Sequence, residues 1–389
     1  MKSNYRYIVK AFMAMAVIAG TTSCDDFLDR EPMSSISPET YYSTAAQLEA
    51  NLNDEYPNVL PSFGQWTYGI FGEDKGTDNQ IEVNANDRYT QDRWKVPHSE
   101  SDNWKFERIY RINFFLSEAL PKFGEDMSGS QNTISGSVAT IKHYIGEMYF
   151  LRAYEYFKKL QLFGDFPIIN QPLADEMEAL REASKRFPRN EVARFIISDL
   201  DKAYAYMSDV DMATTRINKD AAMLVKSRVA LFEATWLQNF KGTAFVPGGE
   251  GWPGASLHNN YQYPSGNLDN EVKYFLEQAV EASKLVADKY KGNLTENTGV
   301  LQQSADDPSN PYFDMFAQED LSDVKEVLLW RQYARGLSTH NINAAAGRGN
   351  YRIGLTRGFV QNFLMKDGTP VYAHGSYADG DGYYMGDKT

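Results

Sequence analysis

Residues 146–169 read GEMYFLRAYEYFKKLQLFGDFPII, and the fold is built around this stretch. Together with the residues just before it, the stretch has apolar side chains on two helical faces: Ile141, Ile145 and Met148 on one, and Phe150, Tyr154 and Phe157 on the other. No proline interrupts residues 136–163, and Gly164 followed by Pro167 predicts where the helix ends. Because a helix that is apolar on two faces packs between other helices, we predict a central helix in a mainly α-helical scaffold.

Helical periodicity recurs on both sides of this central helix. It predicts further helices at residues 38–54, 102–122, 190–207, 219–238 and 270–290, and a short one at 356–366. Ser37 and Asn218 are suitable N-cap residues. Asn113 interrupts one apolar stripe, and we interpret it as a buried amide bonded to a neighbouring backbone rather than as a ligand contact. The best strand candidate is residues 326–334, and no clean period of about 34 residues marks a helical repeat.

Two long irregular segments, at 57–98 and 241–269, are rich in aromatic residues. Loops of this length are usually functional or disordered, and the aromatic content argues against disorder. Flat aromatic side chains on loops held by a rigid scaffold suit ring-shaped or extended ligands, with polar neighbours to orient them. The candidate ligand-binding residues are Trp66, Tyr68, Asp74, Asp78, Tyr89, Trp94, Trp252, Asn260, Tyr261 and Tyr263. The alternative for each aromatic is that it fixes its loop onto the helices. We expect the other three tryptophans, Trp104, Trp236 and Trp330, in the core.

The N-terminus predicts export and lipid anchoring. Residues 1–23 combine basic residues, a short apolar run and small residues, as in a signal peptide, and the run is too short to span a bilayer. The only cysteine, Cys24, follows directly, which favours lipidation; the alternative is an ordinary cleaved signal beside an incidental cysteine. We predict an acidic lipid-anchored tether at 24–37 and a single helical domain at 38–389, with inserted loops at 57–98 and 241–269 and a C-terminally incomplete fold.

Composition and motifs exclude several function classes. The 389-residue chain has a net charge of −13, whereas a nucleic-acid binder needs a basic face. Its five histidines match no metal-ligand spacing, and the chain has no GxSxG or P-loop motif and no GxGxxG that follows a strand. Asp379 and Asp381 begin a calcium-loop pattern that lacks its remaining ligands. We therefore expect no metal and no cofactor. A glycosidase with paired carboxylates leaves no sequence signature, so that alternative stays open.

Several motifs resemble the SusD/RagB family of outer-membrane lipoproteins from Bacteroidetes. They are CDDFLDREP (24–32), NWKFERIYRINFFL (103–116), GEMYFLRAYEYF with LFGDFP (146–167), TRINKDAAMLVKSRVALFEA (215–234), KEVLLW (325–330) and GLTRGFVQNFLMKDG (354–368). The resemblance implies tetratricopeptide-like helix pairs with little β structure, loops that form the ligand face, and no catalytic residues. It also implies a lipoprotein on the outside of the outer membrane that delivers nutrients to a SusC-like TonB-dependent transporter.

The expected function is therefore non-enzymatic capture of an extended glycan or oligosaccharide, with the membrane contacted only through the lipid anchor. A first alternative keeps the architecture and makes the ligand a peptide, as in RagB-like members. A second alternative, from a different class, is a surface glycosidase. The aromatic loops lean toward glycan, because a peptide binder would favour polar groups that bond to a backbone.

Overall fold

The computed structural model describes residues 41–61, 74–81, 103–124, 126–207, 212–300, 304, 306–334, 336–337, 339–340, 354–365 and 367–373. This part of the chain is mainly helical, as predicted. Its strands are limited to one antiparallel ladder, in which Gln80–Ile81 (β1) pairs with Gly354–Leu355 (β2). No helix in these ranges is both long and apolar enough to cross a bilayer.

The described helices follow one another along the chain. They are α1 (Ala45–Val59), α2 (Glu107–Phe123), α3 (Val138–Phe163), α4 (Met177–Ala183), α5 (Arg189–Tyr206), α6 (Lys219–Asn239), α7 (Leu268–Tyr290), α8 (Pro311–Ala317) and α9 (Arg357–Gln361). Two short 3-10 turns lie at Pro253–Ser256 and Val371–Ala373. The central helix is α3, which packs against α1, α2 and α5, while α6 packs against α5 and α7. Of these contacts, α2–α3, α5–α6 and α6–α7 join helices that follow one another in the sequence, as in stacked tetratricopeptide-like pairs.

Local signals at the ends of α3 match the prediction. The Ser137 hydroxyl accepts a hydrogen bond from the Thr140 N–H and caps the N-terminus. Gly164 ends the helix with a φ of 67°, a left-handed conformation that favours glycine. Both predicted apolar stripes are buried in the core or pack against it. The helix is therefore covered on more than one side, as its sequence indicates.

The helix α3 also approaches α5 closely, at Gly146. A Cβ atom at this position would lie 2.8 Å from the Met207 nitrogen and 2.9 Å from the Ala203 oxygen. Backbone cannot yield as a side chain can, so only glycine allows this separation. A residue without a side chain therefore sets the distance between the central helix and its neighbour.

Charged pairs join the helices through the core. The Arg152 guanidinium on α3 donates to both carboxylate oxygens of Asp199 on α5, at 2.6 and 2.8 Å. It also donates to Asn113 Oδ1 on α2 at 2.9 Å, and Asn113 in turn donates to the Ile169 carbonyl oxygen. The interpretation of Asn113 as a buried, backbone-bonded amide is confirmed. Arg216 makes a similar two-pronged contact with Glu147 on α3.

Three local predictions are wrong. The helix predicted over 38–54 is interrupted before Ala45, because Thr44 and Gln47 form a reciprocal capping box that starts α1 there. It then continues through Pro57 to Val59, since proline in a last turn removes only one backbone hydrogen bond. Residues 326–334 contain no strand: the Leu328 carbonyl oxygen and the Trp330 N–H bond to Asn218 and Thr214 beside α6, not to a sheet.

The tryptophans expected in the core follow the prediction in two cases. Trp104 and Trp236 are partly buried and pack against the core. Trp330 is only half-buried, and its indole N–H donates to the Thr214 hydroxyl. The signal peptide, Cys24, the start of the predicted helix at Ser37 and most of the loop at 57–98 lie outside the described residues.

Candidate functional site

The segment between α6 and α7, residues 241–267, is called the aromatic loop. It is a series of hydrogen-bonded turns, in which the Glu250 N–H donates to the Gly242 oxygen and the Gly249 N–H to the Val246 oxygen. A Cβ on Gly249 would lie 2.0 Å from the Thr243 oxygen, so the turn requires glycine. Val246 is buried in the core and fixes the start of the loop. The loop is thus a folded structure on a helical scaffold.

Trp252 attaches this loop to the end of the central helix. Its indole is 5% exposed, and its N–H donates to Asp165 Oδ2 at 2.7 Å. The other carboxylate oxygen of Asp165 accepts from the backbone N–H of Arg189, the first residue of α5, at 2.9 Å. Burial raises the pKa of Asp165 above its ordinary value, although these hydrogen bonds act against the shift. The indole face of Trp252 therefore contacts protein in this structure, and its predicted contact with ligand stays a prediction.

Tyr261 and Tyr263 pack beside Trp252. The ring centroid of Tyr261 lies 5.6 Å from that of Trp252 and 5.1 Å from that of Tyr263. The Tyr261 hydroxyl donates to Asn190 Oδ1 at 3.0 Å and accepts from Asn190 Nδ2 at 2.9 Å, and the Tyr263 hydroxyl donates to the Pro247 oxygen. Burial raises the pKa of both tyrosines, so both hydroxyls stay protonated near neutral pH. Both rings are half-buried, with part of their surface toward solvent.

The tip of the loop is polar and exposed. Asn260 has a φ of 53°, the only left-handed conformation found outside glycine in the described ranges. Asparagine adopts the left-handed conformation more readily than most residues, so the backbone at the tip is compatible with asparagine at position 260. The side chains of Asn259, Asn260 and Gln262 are exposed, and the apolar side chain of Leu257 is 54% exposed among them. Amide groups that can both donate and accept thus stand beside two half-exposed aromatic rings.

Two ion pairs hold the base of the loop. Arg189 donates to both carboxylate oxygens of Glu233 on α6, which is fully buried, and its guanidinium lies 4.1 Å from the centre of the Trp236 ring. Arg194 donates to both oxygens of Glu271 on α7, at 2.7 and 2.8 Å, and to the Ser265 hydroxyl of the loop. The loop therefore lies between two helices that are tied to α5 by bidentate contacts.

The other predicted site residues lie elsewhere. Asp74 and Asp78 are exposed on a turn before β1, where the Asp78 carbonyl oxygen accepts from the Thr356 hydroxyl. Four predicted aromatics fall outside the described residues: Trp66, Tyr68, Tyr89 and Trp94. The structure thus brings together Trp252, Asn260, Tyr261 and Tyr263. Within the described ranges, no group of three His, Cys, Asp or Glu side chains is placed to hold a metal ion.

Sequence reasoning missed three residues that support this cluster: Asp165, Asn190 and His258. His258 stacks on Trp252 with ring centroids 5.9 Å apart, and its Nε2 lies 2.8 Å from the Arg186 oxygen. Asp165 belongs to the GDFP sequence (164–167), in which Gly164 and Pro167 predict the end of a helix. An acid placed just after a helix that ends at glycine was the one signal that could have indicated it.

A shallow depression of about 350 Å³ lies on the outer face of α5, near the base of the loop. None of the predicted site residues lines it. Two of its charged groups already have partners: Arg194 binds Glu271, and Asp201 accepts from Lys226 at 2.7 Å. The aromatic loop, rather than this depression, combines exposed hydrogen-bonding groups with aromatic faces.

Comparison with known proteins identifies the family. Residues 26–231 match SusD-like_3, described as "Starch-binding associating with outer membrane". SusD-like proteins P25 and P2 of Formosa agariphila are each 25% identical, over 55% and 62% of this chain and 41% and 46% of their own. This chain thus spans less than half the length of these curated relatives.

A solved structure supports the same assignment at the level of the fold. A SusD-like carbohydrate binding protein from Bacteroides fragilis aligns with a TM-score of 0.52 at 15% identity, covering 87% of this chain and 57% of that one. At this identity the likeness shows the fold alone. Because the family match covers more than half of the sequence, the chain belongs to the SusD-like family.

Proposed function

We propose that the protein captures extended glycans or oligosaccharides at the cell surface and passes them to a SusC-like TonB-dependent transporter in the outer membrane. In this proposal, a lipid on Cys24 holds it to the membrane, facing outward, and it carries out no chemical step. The family description names starch binding and association with the outer membrane, which supports glycan capture and a location at that membrane.

The observation that carries the proposal is the folded aromatic loop with its exposed amide tip. Sugars present apolar faces, which stack on aromatic rings, and hydroxyls, which need partners that donate and accept. Tyr261 and Tyr263 are half-exposed, and Asn260 is exposed beside them. We assign stacking to the two tyrosines and orientation of hydroxyls to Asn260, with Trp252 holding the cluster together.

The segment at 57–98 supplies the second part of the proposed site. Asp74 and Asp78 are exposed on their turn and would bond to hydroxyls of an extended ligand. Trp66, Tyr68, Tyr89 and Trp94 would add stacking surfaces. A chain of several sugars offers enough rings and hydroxyls to contact aromatics and acids from both segments, so the proposal specifies an extended glycan.

Affinity electrophoresis of the purified protein through gels that contain amylopectin, laminarin or xylan tests the proposal. We expect retardation by at least one glycan, with no release of reducing ends. Asn260→Ala should weaken binding about five- to tenfold, since one or two hydrogen bonds are worth roughly 1–1.5 kcal/mol. Asn293→Ala, an exposed asparagine outside the loop, is the matched control.

The outcomes separate the alternatives. Equal mobility of Asn260→Ala and Asn293→Ala in a gel that retards the parent would refute the site assignment. Heat in calorimetry from a peptide pool alone would favour a peptide ligand. Release of reducing sugar that one acid substitution abolishes would establish a glycosidase instead.

A further inference from the structure

Asp165 lies where three segments meet. It directly follows Gly164 at the end of α3 and faces both the start of α5 and the aromatic loop. Each of its carboxylate oxygens serves a different partner: Oδ1 accepts the Arg189 backbone N–H at 2.9 Å and Oδ2 accepts the Trp252 indole N–H at 2.7 Å. A single side chain thus joins the end of the central helix to two other elements.

The start of α5 needs this carboxylate. Its N-cap residue is Pro188, whose side chain makes no capping hydrogen bond, so the N–H of Arg189 requires an acceptor from elsewhere. A carboxylate near a helix N-terminus is also favoured by the helix dipole. This contact holds Asp165 in place and orients its second oxygen toward the loop.

Trp252 needs the same carboxylate. Its indole is nearly fully buried and has one polar atom, the Nε1–H, which would lack a partner without Asp165. The loop has a second attachment at the next residue of α5, because Tyr261 and Asn190 exchange two hydrogen bonds. Two consecutive residues of α5, Arg189 and Asn190, therefore set where the loop tip lies.

We infer that Asp165 is the positioning residue of the aromatic loop, and that Trp252 is its anchor rather than a stacking surface for ligand. The inference rests on the proposed function in one respect only, namely that the loop tip binds the ligand. Asn260, Tyr261 and Tyr263 then contact the ligand, whereas Asp165 and Trp252 hold the loop in position.

Two conservative variants isolate the contact. Asp165→Asn keeps the shape of the side chain, but its amide nitrogen cannot accept, so one of the two N–H partners is lost in either orientation. Trp252→Phe removes the indole N–H and leaves the carboxylate and the α5 contact intact. Asp175→Asn changes an exposed acid outside the cluster and is the matched control.

Hydrogen exchange of the amides at 254–263 and the indole ¹H–¹⁵N resonance of Trp252, assigned by its absence in Trp252→Phe, test the inference on the full chain. We expect Asp165→Asn to shift this resonance and to speed exchange of the hydrogen-bonded amides within 254–263 at least tenfold. Trp252→Phe should speed exchange to a similar degree, and the double variant should add little to either. Asp175→Asn should change neither signal. Parent-like exchange in both single variants, or effects that simply add in the double variant, would overturn the inference.

A binding arm separates this inference from the proposed function. In amylopectin gels that retard the parent, Asp165→Asn should lose affinity severalfold while its thermal unfolding stays cooperative. Fast exchange with unchanged retardation would overturn the link between loop position and recognition. If no glycan retards the parent, the proposed function fails, and the exchange data still decide whether Asp165 positions the loop.

Discussion

Arg152, in the sequence FLRAYEYF, explains how a charged residue can lie in the most buried helix of the protein. Its guanidinium donates to Asp199, to Asn113 and to the Asn170 carbonyl oxygen, and it lies 5.2 Å from the ring centres of Tyr149 and Phe195. Every nitrogen of the guanidinium therefore has a partner, and α2, α3 and α5 meet at this side chain.

Removing this arginine should be costly. Arg152→Ala leaves the Asp199 carboxylate buried and without its main partner, which we expect to lower the free energy of unfolding by roughly 3–5 kcal/mol. Urea unfolding followed by circular dichroism measures the change. Lys185→Ala, which removes an exposed ion pair with Glu182, should cost less than about 1 kcal/mol. A similarly small loss for Arg152→Ala would contradict the importance of the buried pair.

Glu271 makes a prediction about pH. Burial acts to raise its pKa, but hydrogen bonds from Arg194, Asn190 and the Ser265 N–H outweigh it and hold the pKa below the ordinary value. A carboxyl whose pKa is lowered by folding contributes stability above its unfolded pKa of about 4.3, and this stability is lost as the pH falls through the folded pKa.

This loss can be tested by measuring the free energy of unfolding of the parent and of Glu271→Gln from pH 7 to pH 3. Above about pH 5 the parent should be more stable than Glu271→Gln by a constant free energy, and this difference should become smaller as the pH falls. Glu277→Gln, which changes an exposed glutamate on the same helix, should show no such pH-dependent gap. A gap for Glu271→Gln that does not vary with pH would mean that its charge is not what stabilises the fold.

At the scale of elements, the contact between α3 and α5 depends on Gly146. An added methyl group would meet the backbone of residues 203 and 207 at less than 3 Å, so the helices would have to separate. We expect Gly146→Ala to lower the free energy of unfolding by about 1–3 kcal/mol, although alanine is the better helix former.

The control for this prediction is Gly292→Ala. Gly292 follows α7 and has open space where its Cβ would stand, so the change should be close to neutral. Thermal unfolding of the two variants and the parent gives the comparison. If Gly146→Ala were as stable as the parent, the close contact between α3 and α5 would not require glycine.

At the scale of the whole molecule, one apolar core runs through the described helices. Buried residues from Leu48 on α1 to Val286 on α7 belong to a single cluster, and bidentate arginine contacts cross it at several levels. Elements that share one core and one set of buried ion pairs should unfold together.

We therefore expect the urea transition seen by tryptophan fluorescence to coincide with the one seen by far-ultraviolet circular dichroism. The two signals report different parts of the molecule, because fluorescence reports the surroundings of the six tryptophans, three of which (Trp104, Trp236 and Trp252) lie around the end of α3 and the aromatic loop, whereas the dichroism reports every helix. A fluorescence transition at lower urea than the loss of helix would show that a region with tryptophans unfolds before the helices as a whole. That result would count against a single domain over residues 38–389.

Elements whose signals are local could be predicted from the amino-acid sequence. The two apolar stripes of α3, its end at Gly164, the Asn218 cap of α6 and the buried amide of Asn113 all follow from spacing and caps within a few residues. The seven-residue helices α4 and α8 were not predicted, whereas the five-residue α9 lies within the predicted range 356–366. The SusD-like motifs at 103–116, 146–167 and 215–234 lie largely on α2, α3 and α6, in this locally readable part.

Contacts between side chains that are far apart in the sequence depend on how the helices pack and could not be predicted. Asp165 and Trp252 are 87 residues apart, and Arg194 and Glu271 are 77 apart, so no local pattern pairs them. Residues 326–334 have the composition of a strand, yet Leu328 and Trp330 bond to Asn218 and Thr214 beside α6. Periodicity and capping act over one or two turns of helix, whereas the partner of a buried polar group is set by how the helices stack.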